Sequence, residues 1–214
     1  MEPDAVEIRV VGCLLEKQRT TPDAYPLSLN GLRLACNQAT NRDPVVDYDE
    51  AAVIEALRRL ALRGWTRLAS GAGSRARKYR HLLGEALDLD DAELSLLAVL
   101  MLRGVQTPGE LKQRVDRLHH FGALASVQET LEKLIERGHV ARLGRQPGQK
   151  EERYLQLLGG EESASSGKSV GEAMVKPQES PQEQAPPEDR LERLERELAE
   201  LRAQVNELRD ALGG

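Results

Sequence analysis

Aromatic residues are scarce. One Phe, one Trp and four Tyr make up 3% of the 214 residues, which argues against a large aromatic-lined pocket. Cysteine is nearly absent: Cys13 and Cys36 are the only two, both in helical patterns and without framework spacing. They read as reduced, buried thiols of a cytosolic protein. No apolar run reaches the ~18 residues of a membrane span. The N-terminus carries Glu2, Asp4 and Glu7 and lacks the basic-then-apolar order of a secretory signal. The expected location is cytoplasmic, with no membrane partner. The four histidines, His81, His119, His120 and His139, form no C-x-x-C, H-E-x-x-H or spaced Cys/His set. No nucleophile context such as G-x-S-x-G occurs either. The expectation is a non-enzymatic protein with no catalytic residues, no metal and no cofactor.

Charge is uneven. The formal net charge is −5, yet residues 1–83 carry 13 Lys/Arg against 10 Asp/Glu. Residues 84–158 carry 10 against 12, and residues 159–214 carry 7 against 13. A basic first third is thus hidden by an acidic tail. Residues 159–189 are rich in Ser, Glu, Gln and Pro with almost no large apolar side chain, and read as a disordered linker.

The most informative feature is an internal repeat. Val53, Leu57, Leu60 and Ala61 precede Arg63-Gly64; Val127, Leu131, Leu134 and Ile135 precede Arg137-Gly138. Both sets run i, i+4, i+7, i+8, the buried stripe of a helix, and each glycine suits a left-handed C-terminal cap. Capping boxes are expected at Asp47-x-x-Glu50 and Ser126-x-x-Glu129. A two-strand pattern follows each glycine, with Tyr79 and Tyr154 in equivalent places. An amphipathic helix opens each unit, on Val6, Val10, Cys13 and Leu14 in the first and Leu94, Leu97, Ala98 and Met101 in the second. Thr107-Pro108-Gly109-Glu110 marks one second-helix start and Ser28 the other. The order helix, helix, helix, hairpin is that of the winged helix-turn-helix. The expected fold class is therefore mainly α with small β-hairpins (α+β). Winged-helix domains span 1–84 and 85–158, followed by the linker over 159–189 and a coiled-coil helix over 190–214.

The stretch VVGCLLEKQRTTPDAYPLSLNGLRLACNQATNRDPVV, residues 10–46, resembles the YceH-type family of bacterial proteins. So do GAGSRARKYRH, residues 71–81, and LRGVQTPGELKQRV, residues 102–115. The resemblance covers most of residues 5–158 and leaves the acidic C-terminal extension outside the family core. It implies tandem winged helices and carries no established biochemical role, so function is argued from the residues.

The leading candidate site is the first wing. Residues 65–84 hold Arg67, Arg75, Arg77, Lys78 and Arg80 and no acid, with Gly71, Gly73 and Ser74 at a tight tip. Such a ribbon can contact phosphates along a groove. The plain alternative is a charged, solvated hairpin that resists edge pairing. The glycines join two strands, so they form no nucleotide loop, which would lead into a helix. Arg58 and Arg59 lie on the would-be recognition helix, residues 48–63. Its start carries Asp49 and Glu50, which phosphates repel. Gln38 and Arg42, in the polar segment 37–44, are the remaining candidates for base or phosphate contact. The second unit carries Glu129, Glu132 and Glu136 on its third helix and reads as a protein-contact surface.

Leu191, Leu194, Leu198, Leu201, Val205, Leu208 and Leu212 are spaced 3, 4, 3, 4, 3, 4. This is a heptad seam, and its flanking pairs Arg190–Glu195 and Glu197–Arg202 attract in a parallel dimer. A homodimer through this helix is expected. The sequence thus reads as a nucleic-acid-binding, regulator-like protein, with DNA as partner of the first domain. The alternative is a protein–protein adaptor, as in tandem winged-helix proteins of chromosome-organising complexes.

Overall fold

A computed structural model describes residues 2–69, 76–144 and 151–159. Among them are seven α-helices and five short strands in two antiparallel sheets. Residues 2–159 belong to one compact unit. The heptad leucines, the linker from residue 160 and Arg75 with its neighbouring glycines lie outside the described residues.

Helix α1 (Ala5–Thr20) opens on a reciprocal capping box, Asp4 accepting from the Glu7 amide at 2.9 Å and Glu7 from the Asp4 amide at 3.1 Å. After a 3-10 turn at Pro22–Ala24, strand β1 (Leu27–Ser28) leads into α2 (Leu29–Cys36), capped by Ser28 as its sequence implies. Helix α3 (Glu50–Leu62) follows, then β2 (Thr66–Leu68) and β3 (Lys78–His81). The sheet order is β1-β3-β2, with Leu27 opposite Tyr79 and Leu68 opposite the same Tyr79. A short helix α4 (Leu83–Leu87), not anticipated from sequence, connects to α5 (Asp91–Arg103). Helices α6 (Pro108–Val115) and α7 (Leu124–Glu136) precede β4 (Val140–Leu143) and β5 (Arg153–Gln156).

The expected repeat is visible in the element order and in its local bonds. Gly64 and Gly138 sit at φ +74° and +72°. Behind each, the next residue's amide returns to the helix: Trp65 to the Leu60 carbonyl and His139 to the Leu134 carbonyl, both at 2.9 Å. These are Schellman-type ends that require a left-handed residue. The two expected capping boxes of the third helices are corrected. Asp49 caps α3, because Asp47 is held by Asn37 Nδ2 at 3.2 Å. Helix α7 starts at Leu124 with no side-chain cap, so Ser126 lies inside its first turn. Of the stripe residues, Val53, Leu57, Leu60, Val127, Leu131 and Leu134 are buried, whereas Ala61 is exposed and Ile135 half-buried.

One hydrophobic cluster runs through both repeats. Its centre is the packing of α1 on α5, the most extensive helix pairing among the described residues. Helix α5 is buried on every side from Glu93 to Leu102. Gly12 of α1 lets the two backbones approach: a Cβ there would meet Leu102 Cδ2 and Met101 Cβ at 3.0 Å. Each leucine fully buried at such a seam contributes about 2 kcal/mol relative to exposure. Cys13 and Cys36 are buried and free, as expected.

Candidate interaction site

The third helix of each unit packs beside its hairpin, and the two units differ in what fills the space between them. In the first, α3 presents Ile54, Leu57, Arg58 and Ala61 at i, i+3, i+4 and i+7, one face of the helix. Opposite stand Leu68 and Tyr79, cross-strand partners on one face of the hairpin. Together they line an open groove of about 220 Å³. Ile54 is 49% and Leu68 52% exposed. Adjacent exposed apolar side chains in a concavity carry more information than scattered ones.

The second unit has the same frame. Arg142 stands opposite Tyr154, as Leu68 does opposite Tyr79. Its guanidinium pairs with Glu132 of α7 and, at 3.5 Å, with Glu152, and lies 5.8 Å from the Tyr154 ring centre. Glu132 occupies the position that Arg58 holds on α3, counted from the matching glycines. An ion pair therefore spans the space that the first unit leaves apolar and open.

Of the basic residues expected to meet a nucleic acid, Arg67 and Arg80 stand opposite each other on β2 and β3, Arg58 and Arg67 line the same groove, and several are engaged by carboxylates. Arg58 grips Glu55 with two bonds, 2.9 and 2.7 Å, which draws the Glu55 carboxyl below the usual range. Arg59 turns back to Asp4 and, at 3.5 Å, to Glu7. Arg80 pairs with Glu85 at 2.7 Å. Arg67 and Arg77 are exposed and form no ion pair among the described residues. Lys78 is half-buried on β3.

Arg42 is turned away from solvent, contrary to its expected role in surface contact. Its side chain has no exposed area. Nε donates to the Ala35 carbonyl at 3.0 Å, Nη1 to the Asn41 carbonyl at 2.8 Å, and Nη2 to Glu16 at 2.6 Å and to Gln38 at 3.1 Å. Gln38 is consumed in the same network. The loop over residues 37–44 is thereby fixed to α1, because a buried arginine persists only when its donors are satisfied and its charge is paired. Asn37 fixes the loop's far end, exchanging two bonds with the Tyr48 backbone.

Sequence reading missed a second clamp that recurs in both units. Buried Glu7 accepts from Arg63 at 3.3 Å, and buried Glu93 lies 3.5 Å from Arg137. Each glutamate is the third residue of a capping box, and each arginine directly precedes the left-handed glycine. The signal was available as Asp-x-x-Glu at residues 4–7 and 90–93. Also unforeseen is His81, buried on β3, its Nε2 2.6 Å from Gln18 Oε1. Burial, reinforced by Arg80 and Arg19, pushes the imidazole down to about 4.

Among the described residues no group of three or more His, Cys, Asp or Glu could hold a metal ion. No described helix is long and apolar enough to cross a membrane.

The family model described as "Protein of unknown function, DUF480" matches residues 4–149. A UPF0502 protein of Pelobacter propionicus is 47% identical over 206 residues, covering 95% of this chain and 91% of that protein. The UPF0502 protein YceH of Salmonella paratyphi B is 42% identical over 219 residues, covering 99% and 98%. The family model ends before the acidic extension, as expected of the family core, while the likeness to these two relatives runs on into the C-terminal segment. With the match spanning both repeats, the chain belongs to the DUF480 family and is YceH-like, as its N-terminal motifs imply.

Proposed function

We propose that this chain is a non-enzymatic protein-docking module built on two winged helix-turn-helix units, residues 1–84 and 85–158. Its ligand surface is the groove between α3 and the first hairpin. The observation that carries the reading is the apolar lining of that groove, Ile54, Leu68 and Tyr79, at the place where the second unit has an ion pair. The partner is an apolar segment of another protein flanked by carboxylates. Arg67 at the rim, exposed and without an ion pair among the described residues, supplies the complementary charge. Base reading by α3 is disfavoured, since Asp49 and Glu50 start it and Arg58 is held by Glu55.

A second reading, nucleic-acid binding through the wing, is favoured by one observation: Arg67 and Arg77 stand exposed on the hairpin. The two are separated by a peptide-display selection and a gel-shift titration on the native chain. The docking reading expects selected peptides rich in apolar and acidic residues, whose binding is lost in Ile54→Glu and in Leu68→Glu. Duplex binding that falls steeply with salt, is abolished by Arg67→Ala with Arg77→Ala, and is untouched by Leu68→Glu would overturn it. The homodimer belongs to the same proposal and rests on the heptad from Leu191 to Leu212. Light scattering should give twice the mass per particle for the full chain relative to its monomer, and a single copy once the chain is cut after Leu158. Equal states for both would remove the coil from the proposal.

A further inference from the structure

The two cysteines meet in the interior of the first unit. Cys13 lies midway along α1 and Cys36 ends α2, and neither has exposed area. Their thiols hydrogen-bond each other. Two guanidinium groups are buried with them. Arg42 donates to the carbonyl of Ala35, the residue before Cys36, and its charge is met by Glu16. Arg9 stands one turn before Cys13, at i and i+4, on the same helix face. Its Nη2 donates to the Pro44 carbonyl at 2.6 Å, while Nη1 is buried with no hydrogen-bond partner among the described residues. No described carboxylate forms an ion pair with Arg9. A buried guanidinium in that position is costly unless another anion stands near. Cys13 fills the role: burial weakens the hold of Arg9 on its proton, and Cys13 is foremost among the groups that restore it. The thiol responds in kind. Burial opposes its ionisation, but the hydrogen bond from Cys36, together with Arg42 and Arg9, outweighs burial and holds Cys13 below the ordinary thiol value. The same hydrogen bond, and then burial, drives Cys36 upward.

We infer that Cys13 and Cys36 form a peroxide-oxidisable dithiol, in which Cys13 is the attacking sulfur and Cys36 resolves it to a disulfide. The Cys13 thiolate attacks one oxygen of hydrogen peroxide. The O–O bond breaks, the sulfur is oxidised to a sulfenic acid, and the departing hydroxide takes a proton from solvent to become water. The unspent Nη1 hydrogens of Arg9 are available to that leaving oxygen. The Cys36 thiol then attacks the sulfenic sulfur, forming the S–S bond and expelling a second water. Two thiols and one peroxide thus give one disulfide and two waters. Enclosure of both sulfurs selects the oxidant by size: a molecule little larger than water reacts, and a bulky disulfide does not. The pair is independent of the docking groove, since neither cysteine lines it.

The test treats the full chain with hydrogen peroxide under native conditions, quenches it with a maleimide in denaturant and maps the products by mass spectrometry. A Cys13–Cys36 disulfide is expected, formed faster in the folded chain than in urea. In Cys36→Ser the reaction should stop at Cys13, as a sulfenic acid trapped by dimedone. Arg9→Gln should slow the reaction severalfold, while Arg67→Gln leaves it unchanged. A readout on the unaltered chain guards against a misfolded variant: the ultraviolet absorbance of a thiolate should be present in the folded protein at neutral pH and vanish on peroxide treatment. No thiolate absorbance at neutral pH, dimedone on Cys36 of a Cys13→Ser variant at an equal rate, or a disulfide that forms only in denaturant would each overturn the assignment.

Discussion

The two repeats share a frame and differ in surface chemistry. Both end their third helix at a left-handed glycine, and both clamp the preceding arginine to a buried glutamate. In the first, helix and hairpin part around an apolar groove; in the second, Arg142 and Glu132 join across it. The second unit shows what the space looks like when it is closed by the chain's own residues. That makes the open groove of the first a property of particular side chains, Ile54 and Leu68, rather than of the architecture.

The largest expected effect concerns the shared clamp. Both glutamates complete a capping box, but Glu7 serves both Arg59 and Arg63, whereas Glu93 reaches only Arg137 among the described basic residues. Glu7→Ala should cost about 4 kcal/mol and Glu93→Ala about 2 kcal/mol in urea unfolding, since removing one partner strands the other. Equal costs would break the asymmetry.

Acid sensitivity should be greater in the first unit, although burial and Arg137 also lower the imidazole of His139 in the second. His81 faces Thr66 in its hairpin, where the second unit pairs Gln156 with Val140. Folded His81 titrates near 4 against an ordinary value of 6.5. Between those values the unfolded chain holds more protons, so stability is complete above about pH 6.5 and falls toward pH 4, by roughly 3 kcal/mol. His81→Gln should flatten that slope, measured as the urea midpoint against pH.

Smaller and symmetrical effects are expected at the caps. An added Cβ meets nothing within 4 Å at Gly64 or at Gly138, so only the positive φ resists it. Alanine at either should cost about 1–2 kcal/mol, and the two costs should agree. The smallest effect on stability, under about 1 kcal/mol, is expected for Leu68→Arg with Arg58→Glu, which writes the second unit's ion pair into the first. Stability would scarcely change while peptide binding disappears.

Much of the frame was legible because it rests on local rules. The stripe Val53, Leu57, Leu60, the caps Ser28 and Thr107, and the glycine ends follow from neighbours a few residues apart. The site was less legible. Arg42 turns inward because Glu16, 26 residues earlier, waits for it on α1. No local pattern announces a pairing of that kind, so counting basic residues overstated the cationic surface. Ile54 could have been noticed, since on α3 it lies off the stripe of Val53, Leu57 and Leu60 that the 3.6-residue period turns to the core. Helix α4 was missed because its five residues lie below the length at which periodicity speaks.

Helix α5 is enclosed from Glu93 to Leu102, with α1 drawn close at Gly12. A rod sheathed on all sides cannot swivel without tearing open the interior that surrounds it. The two hairpins are consequently carried by one stiff mount, and whatever engages the first meets the second at a set spacing. Under the proposed docking role, recognition is a matter of fitting a template rather than of waiting for a jaw to shut.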